Sequence, residues 1–306
     1  MKIVVTGGAG FIGSNLVKSL LAAGHQVLVI DNLTAGTLEN VPVGCDFRKV
    51  DIRSPELTHH LQGAETVFHL AAKNCLADCA ASPVETSDIN VTGTANLLDA
   101  CVKNKVAHVI YADTSAEYEG TLEFPSSVER VNPLSVYACS KRGAALVCAA
   151  FNHLHDLKVS TVRYFNVYGP AQDWRRVIPP VMSAFTIKLL SKERPVIYGT
   201  GEKRRDFIHV DDINAFHLKL LAEPALRGNT YNLGSGKDHS ILEVFQMVES
   251  EIKSGIKPEF KPDLPAEALR TLADISGTLA TGWTPQVDLQ SGIRSFIDYT
   301  RSRLFV

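Results

Sequence analysis

No apolar run in this sequence reaches the roughly 18 to 20 residues that a membrane-spanning helix needs, and no cleavable signal pattern stands before Ile3-Val4-Val5. The expectation is therefore a cytoplasmic protein with no membrane partner. A basic stripe is missing too. With 31 Lys and Arg against 33 Asp and Glu, the net charge is −2, and the cations are scattered rather than arranged to follow a phosphate backbone. Nucleic-acid binding is excluded as the main role. The six cysteines supply one close pair, Cys75 and Cys79, and no second pair to complete the four ligands of a zinc site. The ten histidines form no HExxH motif, so no metal is expected and the cysteines read as reduced. Internal repeats, low-complexity tracts and long flexible linkers are also lacking.

What is present is a chain of 306 residues, 45% hydrophobic and 21% charged, long enough for one large domain or two modest ones. Up to about residue 165, short β-branched apolar runs alternate with segments of helical period. This predicts strands at 2–6, 26–30, 46–50, 66–70, 107–112 and 159–163, and helices at 11–23, 54–62, 83–104 and 135–155. The pattern is an α/β fold of Rossmann type, a six-stranded doubly wound parallel sheet. Beyond residue 165 come Gly169-Pro170, Pro179-Pro180 and Gly199-Thr200-Gly201 with shorter elements between them. Residues 1–165 thus read as a Rossmann domain and 166–306 as a smaller α/β lobe, some of whose segments cross back, with a cleft between the two.

Between the first strand and first helix lies Thr6-Gly7-Gly8-Ala9-Gly10-Phe11-Ile12-Gly13. A phosphate needs backbone N–H donors at a helix N-terminus and no Cβ in its way, and this turn supplies both. The second strand ends in Asp31, where a carboxylate accepts hydrogen bonds from ribose hydroxyls and repels a 2′-phosphate, so NAD is expected rather than NADP. Asp51, with Ile52, either meets the adenine or caps the following helix.

Tyr137-Ala138-Cys139-Ser140-Lys141 sets a phenol and an ammonium four residues apart on one face of the last helix of this half. Thr114 ends the fifth strand, where ligands bind in such sheets. A phenol with an ordinary pKa near 10 is a poor base at neutral pH unless nearby positive charge favours its phenolate. Tyr137 is expected to take a proton from a substrate hydroxyl while a hydride leaves for NAD. Lys141 anchors the nicotinamide ribose in this reading, and Thr114 binds the reacting oxygen.

These residues, together with Asp31-Asn32, His69-Leu70-Ala71-Ala72, Asn90-Val91-Thr92-Gly93-Thr94, Arg163-Tyr164-Phe165-Asn166-Val167-Tyr168-Gly169-Pro170, Arg205-Asp206-Phe207-Ile208-His209-Val210-Asp211-Asp212 and Ala273-Asp274-Ile275-Ser276, resemble the extended short-chain dehydrogenase/reductase family. The similarity is to its NAD-dependent nucleotide-sugar epimerase and dehydratase branch. It implies that Leu70, Ala71 and Ala72 join Gly7, Gly10, Phe11, Ile12, Gly13, Asp31, Asn32, Asp51, Ile52, Tyr137 and Lys141 around the cofactor. It further implies a nucleoside diphosphate sugar in the second lobe, with Asn166 and Arg205 at the diphosphate and Val177, Ile178 and Tyr198 at the base. Asn166 shaping a turn, and Arg205 pairing with Asp206 or Asp211, are the structural alternatives. A homodimer through the helices near 90–104 and 135–155 follows from the same resemblance.

Dehydratases of that branch carry Thr-Asp-Glu, and decarboxylases Thr-Ser-Glu, where this chain has Thr114-Ser115-Ala116. Glu117 is one residue late, and Tyr118-Glu119-Gly120 hints at a local insertion. Epimerases need no such carboxylate, because the ketose formed at C4 turns over and receives the hydride on its other face. The resemblance thus implies 4-epimerisation of a UDP-hexose. A dehydratase, decarboxylase or reductase, and a non-catalytic NAD-sensing protein, are the rivals. An arginine common near the C-terminus of epimerases is matched by Lys261, so the resemblance implies either a weaker diphosphate clamp or one that uses Arg270. Residues 73–79 depart from common galactose epimerases, and residues 173–176 either meet an acidic or N-acetylated sugar or form a surface loop.

Overall fold

The computed structural model describes residues 1–176, 178–263 and 267–305. The first half of the chain runs β1 (Lys2–Thr6), α1 (Phe11–Ala22), β2 (Gln26–Ile30), β3 (Asp46–Arg48), α2 (Leu57–His60), β4 (Thr66–His69), α3 (Leu76–Ala81), α4 (Pro83–Ser87), α5 (Gly93–Lys103), β5 (His108–Thr114), α6 (Val136–Leu154) and β6 (Lys158–Tyr164). The second half adds β7 (Val167–Tyr168), α7 (Val181–Leu190), β8 (Val196–Tyr198), β9 (Arg204–Asp206), β10 (Ile208–His209) and α8 (Val210–Ala222). It continues through β11 (Thr230–Leu233), β12 (Asp238–Ser240), α9 (Ile241–Ile252), β13 (Glu259–Lys261), α10 (Ser276–Leu279) and α11 (Leu289–Leu304).

The main sheet is parallel throughout, in the order β11-β6-β5-β4-β1-β2-β3. Its inner strands are buried on both faces, as the alternation in β1 shows: Ile3 and Val5 enter one core with Leu16, Leu20, Ile213 and Phe216, while Val4 enters the other with Leu97, Leu98 and Ala144. The strand order reverses between β1 and β4, so a crevice opens beyond the C-terminal ends of those two strands.

The doubly wound fold expected from the sequence is present, with corrections in detail. The sheet has seven strands rather than six, because Thr230–Leu233 returns from the second half to pair with β6. The expected helix at 83–104 is three pieces, α4, a π-helical turn over Asp88–Thr92, and α5. The helix expected at 54–62 shrinks to Leu57–His60. A third core, built from Met182, Phe185 and Leu189 of α7, Val244, Phe245 and Val248 of α9, and Ile293, Phe296 and Ile297 of α11, lies in the second half. Three small two-stranded sheets, β7 with β10, β9 with β12 and β8 with β13, complete it. Among the described residues no helix is long and apolar enough to cross a membrane.

Candidate active site

The glycine turn sits at the mouth of the crevice. Gly7 has φ of +73°, and a Cβ there would lie 2.7 Å from the backbone nitrogen of Ala71, so the turn can press against the segment after β4 only because this residue is glycine. A Cβ on Gly13 would strike the Gly7 carbonyl, whereas one on Gly10 would meet only that carbonyl, at 3.2 Å. Gly10 is the N-cap of α1 and no side chain caps the helix. The N-terminal amides of Phe11, Ile12 and Gly13 therefore carry the helix's positive end without an internal partner, the arrangement that receives an anion.

Asp31, at the end of β2, is buried, with Oδ2 accepting from Ala9 N–H at 3.0 Å and Oδ1 from Leu33 N–H at 2.8 Å. Burial raises its pKa, and the two amides oppose the rise. Asn32 donates to Asp51 at 2.9 Å, and Arg53 binds the same carboxylate through its backbone and guanidinium, which holds Asp51 well below the ordinary carboxylate range. Asp51 does not cap α2, whose N-cap is Glu56. Ile52 is buried beneath Gly93.

Across the crevice, β5 delivers Thr114 and α6 delivers Tyr137 and Lys141. The helix starts at Val136 because Ser135 caps it, accepting from Ala138 N–H at 3.1 Å. Glu119 in turn fixes Ser135, accepting from its N–H at 2.9 Å and its hydroxyl at 3.1 Å. Burial raises the Tyr137 phenol above its ordinary value, and the Thr114 hydroxyl acts against that rise. Burial also pushes Lys141 down to about 8. Its ammonium is 4.1 Å above the Tyr111 ring and, among the described residues, has no hydrogen-bond partner. A buried ammonium without a hydrogen-bond acceptor is costly, so this one fits a bound group that brings hydroxyls to it. The uncapped helix end, the buried Asp31 and this lysine together fit a dinucleotide lying across the switch point.

Beneath them runs a polar chain that sequence reasoning missed. His69 is neutral, held near 3 by burial, and bridges Thr6 Oγ1 at 2.8 Å and Thr94 Oγ1 at 2.9 Å. Asn90, buried in the π-helical turn, accepts from Lys73 N–H at 2.8 Å, donates to the Lys73 carbonyl at 3.0 Å and donates to Ser140 Oγ at 2.9 Å. Leu70, Ala71 and Ala72 follow His69 directly, on the side of the glycine turn. A second buried group lies behind Thr114: Arg163 donates to Asp113 at 2.9 Å and to the Tyr118 hydroxyl at 2.9 Å and pairs with Glu117 at 3.0 Å. Two acids flanking Thr114 in an otherwise apolar stretch were the signal available for it.

Of the residues expected at a sugar nucleotide, Asn166, Arg205 and Arg270 gather at the strand pair β9 and β12. Asn166, at φ +26°, donates to the Asp206 carbonyl at 2.8 Å and to Thr271 Oγ1 at 3.0 Å. Arg205 is buried and pairs with Glu267 at 2.9 Å, not with Asp206 or Asp211. Asp206 is instead satisfied by the amides of Ser235, Gly236 and Ala273. Arg270 bridges to Arg204, and both bind Asp238. Tyr198 lies in β8 opposite Lys261, on a separate pair of strands. Ile178 is exposed, and Val177 falls outside the described residues.

A sequence model described as "NAD dependent epimerase/dehydratase family" matches residues 3–234. UDP-glucose 4-epimerase of Mycolicibacterium smegmatis is 33% identical over 313 residues, covering 99% of each chain. The crystal structure of UDP-glucose 4-epimerase from Thermotoga maritima with UDP-glucose superposes with a TM-score of 0.95 at 31% identity, over 99% of this chain and 100% of that one. A UDP-glucuronic acid 4-epimerase variant from Bacillus cereus, solved with a 4-fluoro analogue of its sugar nucleotide and NAD, gives 0.92 at 29% identity, over 99% of each chain.

Proposed function

Since the chain belongs to the NAD dependent epimerase/dehydratase family, we propose that it interconverts the C4 epimers of a UDP-hexose, with NAD as a recycled cofactor. One observation favours epimerisation over loss of water or carbon dioxide. The turn after Thr114 offers the pocket no carboxylate: Ala116 has none, Glu117 is fully buried against Arg163, and Glu119 is committed to Ser135. The register left open by Glu117 and Glu119 is thereby accounted for, since neither side chain can serve as acid or base at the sugar.

When bound, NAD supplies the reversible uptake of a hydride from C4. The protein's part is proton transfer and positioning. Tyr137 Oη takes the proton of the C4 hydroxyl and later returns it. Thr114 Oγ1 hydrogen-bonds the same oxygen and holds it in line with the phenol. Lys141 binds the cofactor ribose, and its ammonium favours the phenolate that burial disfavours. Arg205, Asn166 and Arg270 receive the diphosphate and Tyr198, Val177 and Ile178 the base, as guanidinium donors and an aromatic face suit those groups.

The same reading divides the chain at residue 165 into cofactor and substrate units, with α8 and β11 crossing back to the first. It places the enzyme in the cytoplasm as a homodimer joined through α5 and α6, a surface to which the exposed Leu146 contributes. Incubation with UDP-glucose, UDP-galactose and related UDP-sugars tests the activity. The expected result is epimer formation without net NADH, water or carbon dioxide, and a stable 4-keto product would overturn it.

A further inference from the structure

The connection between β7 and α7 carries two adjacent arginines, of which Arg176 reaches across the crevice. Its Nη2 donates to Asn74 Oδ1 at 2.9 Å, and its Nε pairs with Asp173 at 3.2 Å. Asn74 follows Lys73, whose backbone is clamped by Asn90, and Asn90 is bonded to Ser140. Ser140 donates to the Tyr137 carbonyl at 2.7 Å, so the guanidinium is tied by short links to the helix turn that bears the phenol. Its charge also favours the phenolate of Tyr137, which places it within electrostatic reach of the reacting oxygen.

The anions around it are occupied. Both oxygens of Asp173 are taken by Arg175 and Arg176, and Glu85 is bound by Lys73. Two arginines against one aspartate leave an excess positive charge, and Arg176 Nη1 has no partner among the described residues. A neutral hexose gives such a donor edge only hydroxyls. A carboxylate matches it in charge and geometry.

We propose that Arg176 reads a carboxylate on the hexose, making UDP-hexuronic acids the preferred substrates; this rests on the epimerase reading above. With O4 at Tyr137, a carboxylate at C6 is separated from C4 only by C5, close enough for one arginine to serve both the binding of the acid and the field at the phenol.

The holoenzyme is assayed with UDP-glucuronate and with UDP-glucose, following epimer formation by NMR, and kcat/KM is compared between wild type and Arg176→Gln. UDP-glucuronate is expected to be the better substrate of the wild type. In the variant its advantage over UDP-glucose falls roughly 10- to 100-fold, the scale of a lost charge-assisted partner, and Arg176→Lys restores part of it. Forward and reverse kcat/KM for the acid fall together, because the equilibrium between epimers cannot change. Unaltered NAD content and melting temperature show that the variant is folded. Turnover of UDP-glucose with UDP-glucuronate inert overturns this inference and leaves the epimerase reading standing. An equal loss on both sugars also overturns it, assigning Arg176 to the diphosphate or to loop structure. Failure to epimerise any UDP-sugar removes both.

Discussion

The two sides of the crevice handle charge in opposite ways. On the cofactor side, α1 has no side-chain cap and Lys141 is buried over Tyr111 with no hydrogen-bond acceptor among the described residues. On the other side the four described cations of this region each have an acid: Arg205 and Lys203 share Glu267, and Arg204 and Arg270 share Asp238. The first turns a helix end and an ammonium toward the crevice, which suits a tightly held group that stays. The second is balanced by itself, so an incoming anion must compete with resident carboxylates, as suits a substrate and product that must leave.

The comparison breaks most visibly at Tyr137. Tyr137→Phe should lower kcat roughly 1,000-fold, within the range for general acid and base groups, while NAD released from the denatured protein stays equal to wild type. Next comes Arg205→Ala, which should raise KM for the UDP-sugar roughly 10- to 100-fold with a smaller change in kcat, because a charge-assisted contact to phosphate is lost. NAD content should not move, and a parallel loss of cofactor would merge two sites that are argued to be separate.

Glu267→Gln should act in the opposite sense. Freed from a half-exposed partner, Arg205 and Lys203 should bind UDP about 2- to 5-fold more tightly by calorimetry, the modest scale of such pairs. Weaker binding would show that Glu267 positions Arg205 rather than competing for it.

The smallest effect concerns stability. Burial, followed by the charge of Asp113, raises Glu117 to about 8 from an ordinary 4.5. The folded chain therefore holds this proton more tightly than the unfolded chain between those values. The resulting stability is fully present below pH 4.5 and is lost as pH rises through 8. Glu117→Gln, which resembles the protonated form, removes this titration, so the melting temperature of the wild type should fall relative to that of the variant as pH rises from 4.5 to 8. Parallel curves would mean that Arg163, at 3.0 Å, and Arg142, at 3.7 Å, keep Glu117 charged throughout.

Legibility in the sequence followed the same divide. The strands of the first half were readable because parallel strands buried on both faces are runs of Val, Ile and Leu, and the glycine turn was readable because steric need leaves no alternative at Gly7 and Gly13. β11 was not, since Thr230-Tyr231-Asn232-Leu233 mixes polar with apolar residues. Asn232 is buried there because it accepts from the Tyr118 hydroxyl at 2.8 Å, a partner far away in sequence. The break in the helix at 83–104 was hidden for a similar reason. Local propensity allows a continuous helix, and only the bonds of Asn90 to Lys73 and Ser140 show what the π-helical turn accomplishes. Arg205 was found as a residue but not with its partner, because Glu267 belongs to a segment whose approach depends on the tertiary fold.

The late return of β11 bears on how the protein is made. When β6 first emerges from the ribosome its outer edge is bare, and it stays so until Thr230–Leu233 has been synthesised. A nascent chain halted in that interval exposes a strand edge able to recruit a neighbouring chain. It also lacks Asn232, so the Tyr118 hydroxyl and the buried Arg163 cluster behind Thr114 are left unfinished. Truncation anywhere before residue 230 should therefore yield aggregates rather than a shorter working enzyme.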